Sequence, residues 1–415
     1  MKYPLLYEIE QRFADTAIQD VPARVRELFA SADLQSQVKP GDSAAVCVAS
    51  RGTHDLKDLV KTTIECLKEI GLSPFITPAM GSHGGATGPG QIAVLADLGI
   101  SESSMGVPVR ASMDVVSLGR TGQGVEVFFA RDALEAKHIV VINRIKPHTI
   151  FRSHVESGLC KILAIGCGRQ IGAANMHKYD LGRTIVPAAG VIIEKAPILC
   201  GLAVTENALG GTHTIRLARP EEFEAVDSAL LKEAWTLLPR IPIQELDILV
   251  VDEMGKDVSG AGLDPNVIGF WRREGGERTP DYKILIVLDL TQASHGNATG
   301  IGMTDLTTKR VIDQIDLEAT HLNCLTSGVL RGCRIPIVLD NDRQVIKAAL
   351  KLQPDISSAR LARIKNTGSL KKFWVSRSLL PELRGRDNIV IHDQPMPFEF
   401  DQEGRLSAWP DGQAL

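Results

Sequence analysis

The chain has 415 residues, with 46 Lys and Arg against 50 Asp and Glu and a formal net charge of −4. Acidic and basic residues are interspersed and form no basic track, so we expect no nucleic acid as a partner. The first residues are too acidic for a signal peptide, and no apolar run approaches the roughly 18–20 residues of a membrane span. We therefore expect a cytoplasmic protein that does not enter the membrane.

The length and the cysteines also bear on the organisation of the chain. One hydrophobic core rarely supports more than about 250–300 residues, so the length predicts two domains with room for a cleft between them. The seven cysteines form no CxxC pair, and an odd number in a long chain is typical of reduced thiols in the cytosol. We predict that most of them are small core residues.

The N-terminal half alternates between predicted strands and helices. Residues 43–50 are an apolar run, and residues 55–69 repeat apolar side chains at helical spacing after Thr53, the predicted N-cap. A second strand leads into GSHGGATGPGQ, and a third, from His138, leads into Lys146-Pro147-His148. Because open α/β sheets bind ligands at the carboxyl ends of their parallel strands, we expect these loops to carry function.

The character of the sequence changes near LLPRIPIQE, where two prolines end a helical run. We predict an N-terminal α/β domain over residues 1–242, which carries the catalytic site, and a C-terminal α/β domain over residues 243–415. Each is expected to contain a mainly parallel sheet flanked by helices. In the second domain, the strand YKILIVLDL leads into the loop TQASHGNATGIG.

Histidines are concentrated in segments that lack a regular period. Five of the ten stand in Gly-rich or turn-like segments: His83, His148, His154, His177 and His295. A single loop histidine is usually solvated or hydrogen bonded, so their clustering suggests function more than any one of them does. The segment GSHGG favours His83, because glycine lets the backbone approach a ligand closely.

Lys161 lies among apolar neighbours in GLCKILAIG. Partial burial would lower the pKa of this lysine and make a neutral amine available for covalent chemistry, whereas the structural alternative is an ion pair with Glu156. Downstream, Asn175 or Asp180 could orient the ring of His177 as a metal ligand or a base. The spacing supports no conventional zinc site, since HExxH, an i,i+4 His pair and a Cys/His quartet are all missing.

Standard nucleotide motifs are missing from the sequence as well. The segment GCGRQIG is one residue off the dinucleotide fingerprint and follows a helix-like run. Neither a Walker A motif nor G-x-S-x-G occurs. The residues alone therefore indicate a cleft enzyme with several loop histidines and one half-buried lysine.

Four segments carry a resemblance to a known family: PAMGSHGGATGPGQ, NRIKPHTIFRSHVESGLCKILAIGCG with NMHKYD, DEMGKDVSGAGLDPNVIG, and SHGNATGIG with TKR. They resemble the nickel-pincer lactate racemase family over residues 40–391. In that family a pyridinium mononucleotide with two sulfur-containing arms holds nickel. The resemblance implies a racemase or epimerase that moves a hydride off the carbinol carbon of a 2-hydroxy acid and back, with the cofactor in the interdomain cleft.

The resemblance also assigns roles to residues. Lys161 corresponds to the lysine that tethers the cofactor, and His177, sixteen positions later, corresponds to the nickel ligand. His83 corresponds to the first acid/base histidine, and His148, in a Pro-His turn before the lysine, to the second. The separation of His148 and Lys161 is a few residues longer than in the founding racemases, so His154 stays an alternative.

An arginine after the first strand binds the substrate or cofactor in the family, and Arg51 corresponds to it. A carboxylate substrate needs at least one fixed cation, which fits this residue type. The family pattern has an aspartate and a proline near this arginine, where Val48 and Gly52 stand here. The resemblance therefore leaves the detailed contacts of this loop, and the substrate, open.

Family members also place a polar and a cationic residue of the second domain over the cofactor. The loop from Gln292 to Gly302 and Lys309 correspond to this region, so Gln292, His295 and Lys309 are the candidates. Enzymes that synthesise the cofactor are expected partners. Two other functions stay open, namely a pincer-dependent oxidoreductase or other isomerase, and a binding protein of the same fold without the cofactor.

Overall fold

The structure is a computed structural model that describes residues 3–50 and 53–407. Arg51 and Gly52 therefore lie outside the described residues. The chain forms two compact units, one of which comprises Ala14–Leu238. The other combines the residues before Ala14 with those from Pro239 onward. The residues before Ala14 therefore belong to the second unit, whereas the predicted division placed them in the N-terminal domain. The reason is that their strand pairs with strands from the end of the chain.

Fifteen strands are present in the described part of the chain: β1 (Leu6–Gln11), β2 (Ser43–Val48), β3 (Ser73–Pro78), β4 (Val115–Arg120), β5 (Glu126–Ala130), β6 (His138–Arg144), β7 (Ile198–Glu206), β8 (Thr212–Ala218), β9 (Glu245–Met254), β10 (Asp281–Leu290), β11 (Leu306–Thr308), β12 (Ile337–Leu339), β13 (Leu361–Ile364), β14 (Lys372–Ser376) and β15 (Ile389–Ile391).

The α-helices of the described part are: α1 (Val21–Ser31), α2 (Leu56–Glu69), α3 (Gly88–Asp97), α4 (Glu102–Met105), α5 (Arg131–Leu134), α6 (Leu159–Lys161), α7 (Arg169–Met176), α8 (Leu181–Lys195), α9 (Phe223–Leu237), α10 (Pro265–Ile268), α11 (Trp271–Glu274), α12 (Lys309–Asp313), α13 (Leu317–Ser327), α14 (Asp342–Lys351) and α15 (Leu380–Leu383). One turn of π-helix, Ile162–Gly166, separates α6 from α7. No helix within the described ranges combines the length and the apolar character needed to cross a membrane.

The Ala14–Leu238 unit is built on a five-stranded sheet with the order β3-β2-β6-β7-β8, in which only the last pair is antiparallel. Its central strands are buried on both faces, as in parallel sheets covered by helices on each side. The chain moves outward from β2 to β3 and in the other direction from β6 to β7. Such a reversal creates a ligand crevice at the carboxyl ends of the two strands where it occurs, here β2 and β6.

The second unit is built on an eight-stranded mixed sheet with the order β12-β11-β10-β9-β13-β14-β1-β15. The pairs from β12 to β13 are parallel and the remaining pairs are antiparallel. Apolar clusters cover both faces of this sheet as well. The predicted fold class, two sets of mainly parallel strands flanked by helices, is confirmed.

The local predictions are confirmed in most elements. Helix α2 buries the apolar face that its spacing predicted. The N-cap prediction is wrong, since the helix is preceded by Asp55 instead of Thr53 and has no side-chain cap. The carboxylate of Asp55 instead accepts a hydrogen bond from Thr212 on β8. Six of the seven cysteines are buried as free thiols, and Cys333 is half-buried.

Candidate active site

Three loops of the Ala14–Leu238 unit leave adjacent strands at the same edge of its sheet. They follow β2, β3 and β6, and β2 lies between the other two. The first loop contains Ser50 and Arg51, the second His83 and the third His148. Arg51 lies outside the described residues, so its predicted role stays a prediction.

His83 is exposed in the loop between β3 and α3, and its Nδ1 lies 2.5 Å from the Ser50 hydroxyl. A hydroxyl both donates and accepts hydrogen bonds, so this contact is compatible with either neutral tautomer of the ring. The carbonyl of His83 accepts a hydrogen bond from the buried Gln91 side chain at 3.3 Å. Gln91 of α3 therefore holds the backbone of His83, and Ser50, in the loop after β2, holds its ring.

His148 is half-buried, and the buried carboxylate of Glu156 organises the turn that carries it. Glu156, only 2% exposed, accepts the backbone N–H groups of His148 at 2.7 Å and Ser153 at 3.2 Å. Nδ1 of His148 accepts the backbone N–H of Ile150 at 3.2 Å. A neutral imidazole that accepts at Nδ1 carries its proton at Nε2.

The pKa of Glu156 reflects two opposing influences. Burial raises it, while the hydrogen bond from His148 and the positive charges of Arg152 and Lys161 act in the opposite direction. Burial has the larger effect. The carboxylate that was considered as a partner for Lys161 is thus also the group that shapes the His148 turn.

His154 has different surroundings from His83 and His148. Its Nε2 lies 2.8 Å from a carboxylate oxygen of Glu224, and both side chains are more than half exposed. Such exposed pairs contribute little to stability, typically below about 1 kcal/mol. A cavity of about 800 Å³ borders His154, Tyr179 and Arg183, but none of His83, His148, Lys161 and His177 lines it.

Lys161 ends α6, and the start of that helix is fixed by a buried carboxylate from α9. Asp227 accepts the backbone N–H groups of Leu159 and Cys160, each at 2.8 Å. Burial raises the pKa of Asp227 to about 7, and the two backbone hydrogen bonds act against that rise. Gly158, with φ of +99°, leaves the space that the carboxylate fills, since a Cβ there would lie 2.2 Å from it.

His177 follows the last residue of α7 and lies within electrostatic reach of Lys161. His177 is exposed to solvent, but neighbouring protein atoms partly desolvate its imidazole and so lower its pKa, and the positive charge of Lys161 lowers it further. Within the described part of the chain, the His177 ring has no hydrogen-bond partner. The predicted orienting residues are engaged elsewhere, since Asn175 donates to the Glu126 carbonyl and Asp180 caps α8. The structure thus places Lys161 within electrostatic reach of His177, and the lowered pKa of His177 favours its neutral imidazole.

Sequence reasoning overlooked a fully buried arginine, Arg169, at the start of α7. Its guanidinium binds both carboxylate oxygens of Asp132, at 2.8 and 2.9 Å. It also donates to the side chains of Thr77 and Gln91. The only sequence signal was a charged residue in an otherwise small and apolar segment, GCGRQIG, which was compared with a nucleotide motif.

The candidate residues of the second unit follow its parallel strands. Gln292 and His295 are exposed in the loop after β10, and His295 has a left-handed backbone with φ of +47°. Lys309 begins α12 after β11, and its ammonium group lies 3.2 Å from Asp313. Lys256, which sequence reasoning did not select, donates its backbone N–H to Ser294 at 2.8 Å in the same loop region.

The side chains of residues 3–50 and 53–407 form no cluster that could hold a metal ion without outside ligands. No three His, Cys, Asp or Glu side chains there are grouped so that they could hold an ion. His177 is therefore a single imidazole, and any metal it binds would need further ligands from elsewhere.

Comparisons with known proteins give one sequence match and one informative fold match. Residues 8–179 match the lactate racemase N-terminal domain. Among solved structures, the lactate racemase apoprotein from Thermoanaerobacterium thermosaccharolyticum has a TM-score of 0.52 and 13% sequence identity, over 88% of this chain and 99% of that one. At this identity the likeness shows the fold. No curated protein matches the chain.

Proposed function

We propose that the chain, whose residues 8–179 match the lactate racemase N-terminal domain, is a lactate racemase-like isomerase that inverts a 2-hydroxy acid with a nickel-pincer nucleotide cofactor. The observation that carries the proposal is the pairing of Lys161 and His177. These residues lie on either side of a π-helical turn, close enough for the lysine charge to lower the pKa of the imidazole. A π-helical turn inside an α-helical segment is rare and occurs often at functional sites.

The donor groups near Lys161 fit such a cofactor. Lys161 offers an amine for a covalent bond to one cofactor arm, and His177 offers one neutral imidazole, a ligand type that suits nickel. A cofactor that brings its own sulfur ligands needs only one such protein ligand. When bound, it supplies the acceptor for the hydride that leaves the carbinol carbon and returns to it.

The proposed acid/base pair is His83 and His148. When Nδ1 of His83 donates to the Ser50 hydroxyl, Nε2 is the nitrogen that takes the hydroxyl proton of a substrate, and the ring becomes an imidazolium. The Ile150 N–H binds Nδ1 of His148, so Nε2 is the nitrogen through which this ring exchanges protons. The ring that acts as acid enters as the imidazolium and becomes neutral when it gives its proton to the substrate oxygen, and inversion in the other direction exchanges the two roles. The surface pairing of His154 with Glu224 favours His148 for this role.

The remaining assignments are proposed on the resemblance. Arg51 binds the substrate carboxylate, because a guanidinium pairs with a carboxylate through two hydrogen bonds. Gln292, His295 and Lys309 contact the cofactor from the second unit. We also propose that the protein acts in the cytoplasm and receives its cofactor from separate synthesis enzymes.

The test is to incubate the holoenzyme with single enantiomers of 2-hydroxy acids in deuterated water. The proposal predicts the opposite enantiomer with its original carbinol hydrogen, because a returning hydride does not exchange with solvent. Deuterium at the carbinol carbon would contradict hydride transfer. A keto acid that accumulates in proportion to enzyme turnover would favour the oxidoreductase. Persistent absence of nickel after expression with the synthesis enzymes would favour a binding protein.

A further inference from the structure

Arg169 forms a buried charge cluster in the Ala14–Leu238 unit. Its side chain is 0% exposed and its backbone is left-handed, with φ of +54°. This conformation is uncommon for residues other than glycine, and a buried guanidinium needs a counter-charge. Asp132 supplies the counter-charge through two hydrogen bonds. The cluster therefore holds the start of α7 in one position.

The guanidinium also reaches the loop that carries His83. Its Nη1 donates to the carbonyl of Pro78, the last residue of β3, and to the side-chain oxygen of Gln91 at 3.1 Å. With its oxygen held in this way, the Gln91 amide nitrogen donates to the backbone carbonyls of Gly81 at 2.9 Å and His83 at 3.3 Å. Arg169 therefore acts on His83 through a single intervening side chain.

Lys161 and His177 flank Arg169 along the chain. Arg169 is the first residue of α7, and His177 directly follows the last. The π-helical turn after Lys161 ends at Gly166, whose carbonyl accepts the Gly81 N–H at 3.1 Å. A Cβ on Gly166 would lie 2.5 Å from the Ala79 carbonyl, so the two segments are in direct backbone contact.

We infer that Arg169 is a positioning residue that sets the placement of His83 relative to Lys161 and His177. The inference deepens the proposed function and rests on it for its catalytic meaning. Lysine cannot replace arginine here without loss, because a single ammonium group does not reproduce a fork of donors that binds Asp132, Thr77 and Gln91 together.

The test uses three variants with separate expectations. Arg169→Lys keeps the charge but loses the fork. Gln91→Met keeps the Arg169–Asp132 pair but removes the link to His83. The control is Arg363→Lys in the second unit, where Arg363 forms a comparable two-bond pair with Asp252 at 2.8 and 2.9 Å.

The first measurement follows the labelled histidine ring signals of the apoprotein by NMR, assigned with His83→Gln and His177→Gln. Arg169→Lys should shift the ring signals of both His83 and His177, and Gln91→Met should shift those of His83 alone. Arg363→Lys should shift neither. In the holoenzyme, Arg169→Lys should lower kcat by about 100-fold with KM within about threefold, since displacement by 1 Å is enough for such a loss.

Unchanged His83 and His177 signals in Arg169→Lys would overturn the inference, and so would an equal loss of kcat in Arg363→Lys. If Arg169→Lys does not fold, Gln91→Met decides, and an unchanged His83 signal refutes the link. If the apoprotein shows the expected NMR shifts but the holoenzyme inverts no 2-hydroxy acid, the proposed function is refuted and the positioning role is left intact. If the holoenzyme is active and neither Arg169→Lys nor Gln91→Met lowers its kcat, the positioning role alone is refuted.

Discussion

The hydroxyl of Ser50 lies 2.5 Å from Nδ1 of His83, across a sequence separation of 33 residues. A hydroxyl can both donate and accept a hydrogen bond at that ring nitrogen. It therefore orients the ring and permits its change of tautomer.

Ser50→Ala should slow the half-reaction that uses His83 by about 10- to 100-fold, because the ring loses its orienting partner. Thermal stability should change by less than about 0.5 kcal/mol, since only one hydroxyl near the surface is removed. The measurement is single-turnover kinetics with each enantiomer. Ser82→Ala, which leaves this hydrogen bond in place, is the matched control, and equal rates for Ser50→Ala and Ser82→Ala would contradict the role of Ser50.

The two-base proposal predicts complementary defects. His83→Ala and His148→Ala should each block net inversion by about 10²–10⁴-fold, the usual contribution of a positioned acid/base. Each variant should still oxidise one enantiomer, and the two variants should spare opposite enantiomers. Cofactor absorbance during single turnover measures this. A selective defect in His154→Ala, with His148→Ala unaffected, would transfer the role to His154.

The electrostatic contact of Lys161 with His177 predicts a change in titration. Partial desolvation of the exposed His177 ring by neighbouring atoms and the positive charge of Lys161 both lower its pKa. Lys161→Gln removes the charge and should raise that pKa, as measured by NMR titration of the apoprotein. Lys178→Gln is the control, because it removes a neighbouring exposed lysine. A His177 pKa that stays constant in Lys161→Gln would show that the two side chains are further apart.

The proposed covalent bond between Lys161 and the cofactor predicts an increase in the mass of the protein. Intact mass spectrometry of the holoenzyme should show an adduct that maps to the peptide containing Lys161, because its amine adjoins the proposed metal ligand. Lys161→Ala should abolish the adduct. An adduct on Lys146 or Lys178 would contradict the assignment.

The buried carboxylate of Asp227 predicts a specific pH dependence of stability. Its pKa is raised to about 7, above the value of 3.8 for an exposed group. Between these values the folded protein holds a proton that the unfolded chain releases, so this group's contribution to stability is full below about pH 4 and is lost as the pH rises to about 7. The loss is at most about 4 kcal/mol.

Asp227→Asn should lack this slope while being less stable overall, because an amide cannot accept both backbone N–H groups of α6. Urea unfolding of both proteins across pH 4.5–8 measures the difference between their free energies of unfolding. The contributions of the other titrating groups are shared by the two proteins and largely cancel in this difference. Parallel stability curves for the two proteins would show that Asp227 does not titrate in this range.

The sequence by itself determined the elements and the loops that leave them. The apolar spacing in residues 55–69 predicted the buried face of α2, and the apolar runs predicted β2, β3 and β6. Loop composition indicated His83, His148 and His177, and the apolar neighbours of Lys161 indicated a half-buried lysine, since these features depend on nearby residues. The resemblance then assigned a role to each of them, and the structure places Lys161 within electrostatic reach of His177.

Only the tertiary structure decided which distant groups meet. Residues Leu6–Gln11 pair with strands near the end of the chain, Asp227 caps a helix 68 residues earlier, and Arg169 binds Asp132 across 37 residues. A local pattern records whether a side chain is apolar and how it repeats along the chain. It does not record which partner pairs a buried charge or completes a sheet edge, because that choice depends on how the whole chain packs.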